Sequence, residues 1–271
     1  MIRTRDSDRI RTVTLDRPER RNALTVDGLD ALAEAVADPP TPVVYLHGAG
    51  AAFCAGADLD VVAAVARESA TDAADTTDAN ANENTNANSD AAADFARRGQ
   101  RVARAIEDSP AVVVAGIDGA ARGGGVELAL ACDLRVATPD ATFAETGVTF
   151  GLFGAWGGTH RLRRVLGEGD ALDVALSGRT LDAEEALRTG LVSRVRDDPF
   201  AVAREVADND PAALRELKAL MRGGSETLDG GSGRGEEARE ARNAQEAREA
   251  EAFARLVADH AEALGRGTGG R

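Results

Sequence analysis

The sequence predicts an α/β fold, on three observations. Short apolar strands alternate with helical stripes from the start of the chain. Two glycine-rich loops each follow an apolar strand, and strand–strand–helix units recur before the chain turns wholly helical. At 271 residues it can bury one large core and carry an appendage.

Ile10 to Leu15 reads as a strand, turned by Arg17-Pro18. Leu24 to Ala37 carries Leu24, Leu29, Leu32 and Val36 on one helical stripe, and Pro39-Pro40 ends it. Val43 to Leu46 is a strand running into the first glycine loop, His47 to Leu59. Residues 69–94 contain Asp- and Asn-rich repeats and almost no large apolar side chain, so a mobile insertion is expected. It is either a lid or a solvating excursion, and the composition favours the second. Phe95 to Glu107 resumes helical spacing through Val102 and Ile106, and Val112 to Ile117 is a strand.

Gly123 to Gly125 then open an apolar helix starting near Val126, with Leu134 to Ala137 and Thr142 to Ala144 as further strands. Helical segments follow Gly157-Gly158 and hold Val165, Leu172 and Leu176. Asp182 reads as an N-cap with Glu185 three residues on, and Gly190 as the C′ residue. Val192 to Val195 is the last core strand. Beyond it lie helices at Ala201–Ala207 and Pro211–Met221, a Gly/Ser linker at 223–235, and a charged helix, Glu236 to Leu264. Phe253, Leu256, Val257, His260 and Leu264 make one stripe there, which a second subunit would cover.

Acidic residues number 46 against 32 basic ones, a net charge of −14 that argues against nucleic acid and anionic membranes as partners. Lys218 is the only lysine. Such a surface suits solubility in concentrated salt, and the reading is a halophile's cytoplasmic protein; an acidic protein from a GC-rich genome is the alternative. The N-terminus lacks an apolar signal core, and no run is long enough to span a membrane. Cys54 and Cys132 form a disulfide or are buried small hydrophobes, and nothing in the sequence points to an oxidising compartment. Three scattered histidines and the absence of Gly-Lys-Ser/Thr leave no metal motif and no P-loop.

The chemistry sits in the glycine loops. A helix opening on glycines offers unpaired N–H groups at the positive end of its dipole, suited to an oxygen gaining negative charge. Glu127 places a titratable carboxylate at the same spot.

Five stretches, in order, carry a resemblance: Leu15-Asp-Arg-Pro-Glu-Arg-Arg-Asn-Ala-Leu24, Phe53-Cys-Ala-Gly-Ala-Asp-Leu59, Gly123-Gly-Gly-Val-Glu-Leu-Ala-Leu-Ala-Cys-Asp133, Gly157-Gly-Thr-His-Arg-Leu162, and the segment Leu176 to Val192. Together they resemble the crotonase superfamily, the enoyl-CoA hydratase/isomerase-like proteins, over most of residues 10–196.

The resemblance implies a crotonase-like superhelix of strand–strand–helix units (residues 1–198) with a C-terminal helical oligomerisation region (199–271), assembled as a homotrimer or hexamer. It implies an acyl-CoA substrate, coenzyme A entering as part of that substrate, and no tightly bound cofactor. The backbone N–H groups of Ala57 and Gly124 would hold the thioester oxygen, and Glu127 would move the proton. Arg21, Ala23, Ala55, Gly56, Asp58, Leu59, Gly123 and Gly147 would line the substrate. Arg21 meets a phosphate or is a solvated surface arginine.

One departure stands out. The family's second catalytic glutamate falls on Gly147. If the backbone there is extended, Glu145 points to the same side, displaced by about 6.6 Å. Glu145 is then a catalytic group, or a surface or ion-paired carboxylate. A hydratase or isomerase is the leading reading. The alternatives are a single-carboxylate hydrolase or decarboxylase, and a silent acyl-CoA-binding protein.

Overall fold

The computed structural model describes residues 1–75, 91–223 and 236–259. Its contacts divide the chain into Met1–Val206 and Ala207–Arg271, a boundary inside a helix where the sequence placed it at 198.

The first unit begins with an antiparallel pair, β1 (Ile2–Ser7) and β2 (Ile10–Leu15), turned at Asp8 and Arg9, both at positive φ. Helix α1 (Val26–Ala37) starts two residues later than its stripe suggested, because the Thr25 hydroxyl caps it by accepting the Gly28 N–H at 3.2 Å. Leu24 is left outside to bridge Ala57.

Three units then repeat one plan. β3 (Val43–Gly48) is followed by β4 (Ala52–Cys54) and the helices α2 (Leu59–Asp75) and α3 (Ala91–Asp108). β5 (Val112–Ile117) is followed by β6 (Ala120–Arg122) and α4 (Gly124–Ala131). β7 (Leu134–Ala137) is followed by β8 (Thr142–Ala144), a 3₁₀ turn (Thr146–Phe150), and the helices α5 (Gly158–Leu166) and α6 (Glu168–Ser177).

The first strand of each unit joins one sheet and the second joins another. The larger sheet has the order β1-β2-β3-β5-β7-β10, parallel beyond the first pair, and the smaller β4-β6-β8-β9. β9 (Leu181–Asp182), α7 (Ala183–Arg188), β10 (Arg194–Val195) and α8 (Pro199–Ala207) complete this part. Asp182 caps α7 by accepting the Glu185 N–H at 2.8 Å, and Gly190 follows at positive φ. The core lies between sheets and helices, with Leu29, Leu32, Leu46, Ile106, Val113, Ile117 and Leu128 all inaccessible to solvent.

The edges of the 69–94 stretch are helical: α2 runs to Asp75 and α3 begins at Ala91. Expectations for the rest of it fall outside the described residues. So do those for the 223–235 linker beyond Gly223, which ends α9 (Pro211–Gly223), and for His260 and Leu264. The second unit holds α9 and α10 (Glu236–Asp259), joined by an Arg255–Glu216 ion pair at 3.2 Å; Phe253 is exposed there. No helix among the described residues is long and apolar enough to cross a membrane.

Candidate active site

The smaller sheet positions the site. β4 and β6 are parallel neighbours, Ala52 beside Ala120 and Cys54 beside Ala121, so the chain leaves both strands at the same edge. Residues 55–59 and 123–124 therefore emerge side by side, each leading into a helix. Glycine allows the close approach. A Cβ on Gly56, at φ +85°, would lie 2.7 Å from the Arg122 carbonyl oxygen and 2.9 Å from the Gly124 nitrogen. A Cβ on Gly125 would strike the Cys54 carbonyl.

Most loop amides are already used. The Ala55 N–H donates to the Arg21 carbonyl at 2.9 Å, that of Gly56 to Cys54 Sγ at 3.4 Å, and that of Asp58 to the Leu24 carbonyl at 3.0 Å. In the second loop the Gly123 N–H donates to the Ala144 carbonyl at 2.9 Å. Among the described residues the N–H groups of Ala57 and of Gly124, the first residue of α4, have no such acceptor. Both residues line one cavity of about 910 Å³.

Arg21, Ala23, Ala55, Asp58, Leu59, Gly123, Glu127, Glu145 and Gly147 line it too. Gly56 does not; it sits between the loops. The Asp58 carboxylate is committed elsewhere. Burial pushes its proton affinity up, but an ion pair with Arg17 and the Asp60 N–H outweigh that and hold it below the usual range. The cavity lining includes the apolar side chains of Val62, Val65, Phe95, Phe150, Leu152 and Phe153 and the cationic Arg20, Arg21 and Arg122.

Glu127 is buried on α4, which begins two residues earlier than the sequence suggested. Its Oε1 accepts the Trp156 N–H at 2.8 Å and the Gly158 N–H at 2.6 Å. A Cβ on Gly154 or Gly158 would come within 3.0 Å of its carboxyl group, so those glycines leave its space. Burial pushes Glu127 up to about 7, against the pull of the two amides and Arg161.

Glu145 is buried at 5% exposure, and its Oε1 has no hydrogen-bond partner among the described residues. Burial, then the charge of Glu127, push it well above the ordinary carboxylate range. The extended backbone assumed around it is absent: β8 ends at Ala144, and Gly147 lies in the 3₁₀ turn. The turn packs Gly147 against Leu152 and Phe153, where a Cβ would sit 3.1 Å from the backbone, a tight contact that its neighbours must yield to admit.

Two residues carry weight that the sequence did not reveal. Trp156 packs its indole where a Cβ on Gly124 or Gly99 would be, while its main chain holds Glu127. Asn22, fully buried at φ +58°, spends Nδ2 on the carbonyls of Ala49, Ala52 and Phe53 and accepts the Arg17 N–H. It ties the N-terminal turn to the first loop. The only available signals were a lone tryptophan and an Arg-Asn-Ala turn.

The profile of the enoyl-CoA hydratase/isomerase family matches residues 5–88 and 74–251. The chain belongs to that family. Members similar to it include a Mycobacterium bovis protein named "Probable enoyl-CoA hydratase echA6", 34% identical over 226 residues, 82% of each chain. Another, "Probable enoyl-CoA hydratase echA8" of Mycobacterium leprae, is 34% identical over 231 residues, 81% of this chain and 80% of that one. Among solved structures, enoyl-CoA hydratase from Bacillus anthracis superposes with a TM-score of 0.75 at 27% identity, over 94% of this chain and 90% of that one. Enoyl-CoA hydratase from Thermoplasma volcanium gives 0.77 at 26%, over 98% and 96%. This family membership makes the chain a hydratase/isomerase-type enzyme of the crotonase superfamily. No cluster of three or more metal-ligating side chains occurs among the described residues.

Proposed function

We propose that this enzyme adds water across the double bond of an enoyl-CoA thioester. The observation that carries the reading is the pairing, in one cavity, of two buried carboxylates with two amides lacking acceptors. The N–H groups of Ala57 and Gly124 hold the thioester oxygen as it becomes an enolate oxygen. Each such donor is worth roughly 3–4 kcal/mol in the transition state.

The carboxylates divide the proton work because their surroundings separate their proton affinities. Glu127, near 7, is the group able to ionise at neutral pH and takes a proton from water as its oxygen bonds to the β-carbon. Glu145, raised well above the ordinary carboxylate range by burial and by the charge of Glu127, keeps its proton and delivers it to the α-carbon. One water is added, and the proton gained by Glu127 replaces the one lost by Glu145 after exchange with solvent. Arg20, Arg21 and Arg122 suit the phosphates of coenzyme A, and the apolar side chains of the lining suit an acyl chain.

The acidic, lysine-poor composition supports a cytoplasmic setting with concentrated salt, and the apolar stripe that the sequence carries in its C-terminal region supports assembly as a trimer or hexamer. The test is hydration of crotonyl-CoA in high salt, followed by loss of the conjugated thioester absorbance. Turnover that collapses in Glu127→Gln is the expected result. Tight acyl-CoA binding with no turnover would instead mean a silent binding protein.

A further inference from the structure

Arg161 lies outside the cavity lining, yet it is 3% exposed and stands directly behind Glu127's support. Its Nε donates to Glu107 Oε1 at 3.0 Å and its Nη2 to Glu107 Oε2, while Nη1 donates to the Trp156 carbonyl at 3.1 Å. One residue earlier, Gln100 of α3 donates to the Ala155 carbonyl at 2.9 Å. The arch from Ala155 to Gly158 is thus held by its carbonyls on one side and presents its amides to Glu127 on the other. Residue 157 lies at φ +100°, a conformation that favours glycine, and the Arg161 guanidinium packs against it.

We propose that Arg161 is a positioning residue for Glu127, holding the Trp156–Gly158 arch so that two peptide N–H groups stay on one carboxylate oxygen. The inference rests on the assignment of Glu127 as the group that moves the proton. An arginine suits the task because its planar fork can grip a carboxylate with two arms and a carbonyl with a third. Lysine has the charge but not the span. Among the described residues the charged groups around Glu127 are Glu145 at the end of β8 and Arg161 on α5, the latter neutralised in part by Glu107 of α3. Arg164 and His160 flank Arg161 on its own helix.

The test follows the titration of Glu127 directly, by carboxyl ¹³C NMR of Glu-labelled protein, with the signal assigned by its loss in Glu127→Gln. Arg161→Met removes both the charge and the fork, and Arg161→Lys removes the fork alone. Glu127's midpoint is expected to rise by about one unit in Arg161→Met and by less in Arg161→Lys. The lower limb of the kcat/KM–pH profile should move with it while KM stays near the wild-type value. A purely structural role would lower the melting temperature without moving the midpoint. An unchanged midpoint in the folded variants overturns the proposal, and Arg161→Lys decides the matter if Arg161→Met does not fold. Because the NMR readout needs no turnover, the two readings fail separately: wild-type protein that does not hydrate crotonyl-CoA counts against the hydratase reading, and an unchanged Glu127 midpoint counts against the role of Arg161 in holding that carboxylate.

Discussion

Backbone donors cannot be mutated, but the spacing between them can. Gly56→Ala puts a methyl group 2.7 Å from the Arg122 carbonyl oxygen and 2.9 Å from the Gly124 nitrogen. Ordinary contact begins near 3.4 Å, so the two loops must separate by about 0.7 Å. Catalytic constellations tolerate about 0.5 Å, and a 1 Å misplacement costs on the order of 100-fold. Alanine in the left-handed region, at φ +85°, adds roughly 1–2 kcal/mol of strain. The expected outcome is a fall in kcat of about 30- to 100-fold, with KM changed less, and a melting temperature lower by a few degrees. Steady-state crotonyl-CoA hydration and thermal unfolding measure both. A folded variant whose kcat stays within about threefold of wild type would show that the Ala57 and Gly124 amides do not share one oxygen.

Glu127→Gln should lower kcat by roughly 10²- to 10⁴-fold while acyl-CoA still binds by calorimetry. In the wild type, kcat/KM should rise as pH increases through about 7, since the ionised form of Glu127 activates the water; a flat profile between pH 6 and 8 contradicts that role. Glu145 has a folded proton affinity above its unfolded one, so its contribution to stability is favourable at low pH and is lost as pH rises from the unfolded value toward the folded one. Glu145→Gln, which does not titrate, should therefore gain in melting temperature over wild type as pH goes from 5 to 8, while losing turnover. Gly147→Glu, which restores a carboxylate at the sequence position, should not raise activity and should destabilise the fold, because its Cβ would meet the Leu152–Phe153 backbone at 3.1 Å. Increased hydration by that variant would sink the assignment of Glu145.

The central strands were legible because both faces are covered. β3 and β5 read as continuous apolar runs, Val43 to Leu46 and Val112 to Ile117, and every one of those residues is buried. β1 was not legible: its residues are mostly polar and exposed, and antiparallel pairing with β2, not burial, makes it a strand. β4 and β6, three residues each, lie inside or against the glycine-rich loops, whose composition reads as turn, not strand. The glycines announced that something approaches closely, but not what. Gly154 and Gly158 clear room for a side chain about thirty positions back along the chain, a relation that exists only after folding.

Glu145 shows how one local conformation changes a functional argument. Counted along an extended strand, residues 145 and 147 are two rises of about 3.3 Å apart, which set Glu145 some 6.6 Å short of the position it would have to fill. The chain instead leaves β8 at Ala144 and enters a 3₁₀ turn at Thr146, where the rise is about 2.0 Å per residue. Only the step from Thr146 to Gly147 lies in that turn, since Glu145 precedes it at φ −91° and ψ 78°, so the two side chains do not alternate as on a strand and the strand offset does not apply. The same turn brings Leu152 and Phe153 back onto Gly147, crowding that position while leaving a carboxyl oxygen of Glu145 buried without a partner among the described residues in the wall of the cavity. A buried carboxyl oxygen without a partner costs free energy that a ligand's proton donor or acceptor can offset. A glycine at 147 and a glutamate at 145 therefore go together: the turn crowds the first position and buries the carboxyl group of the second in the cavity wall.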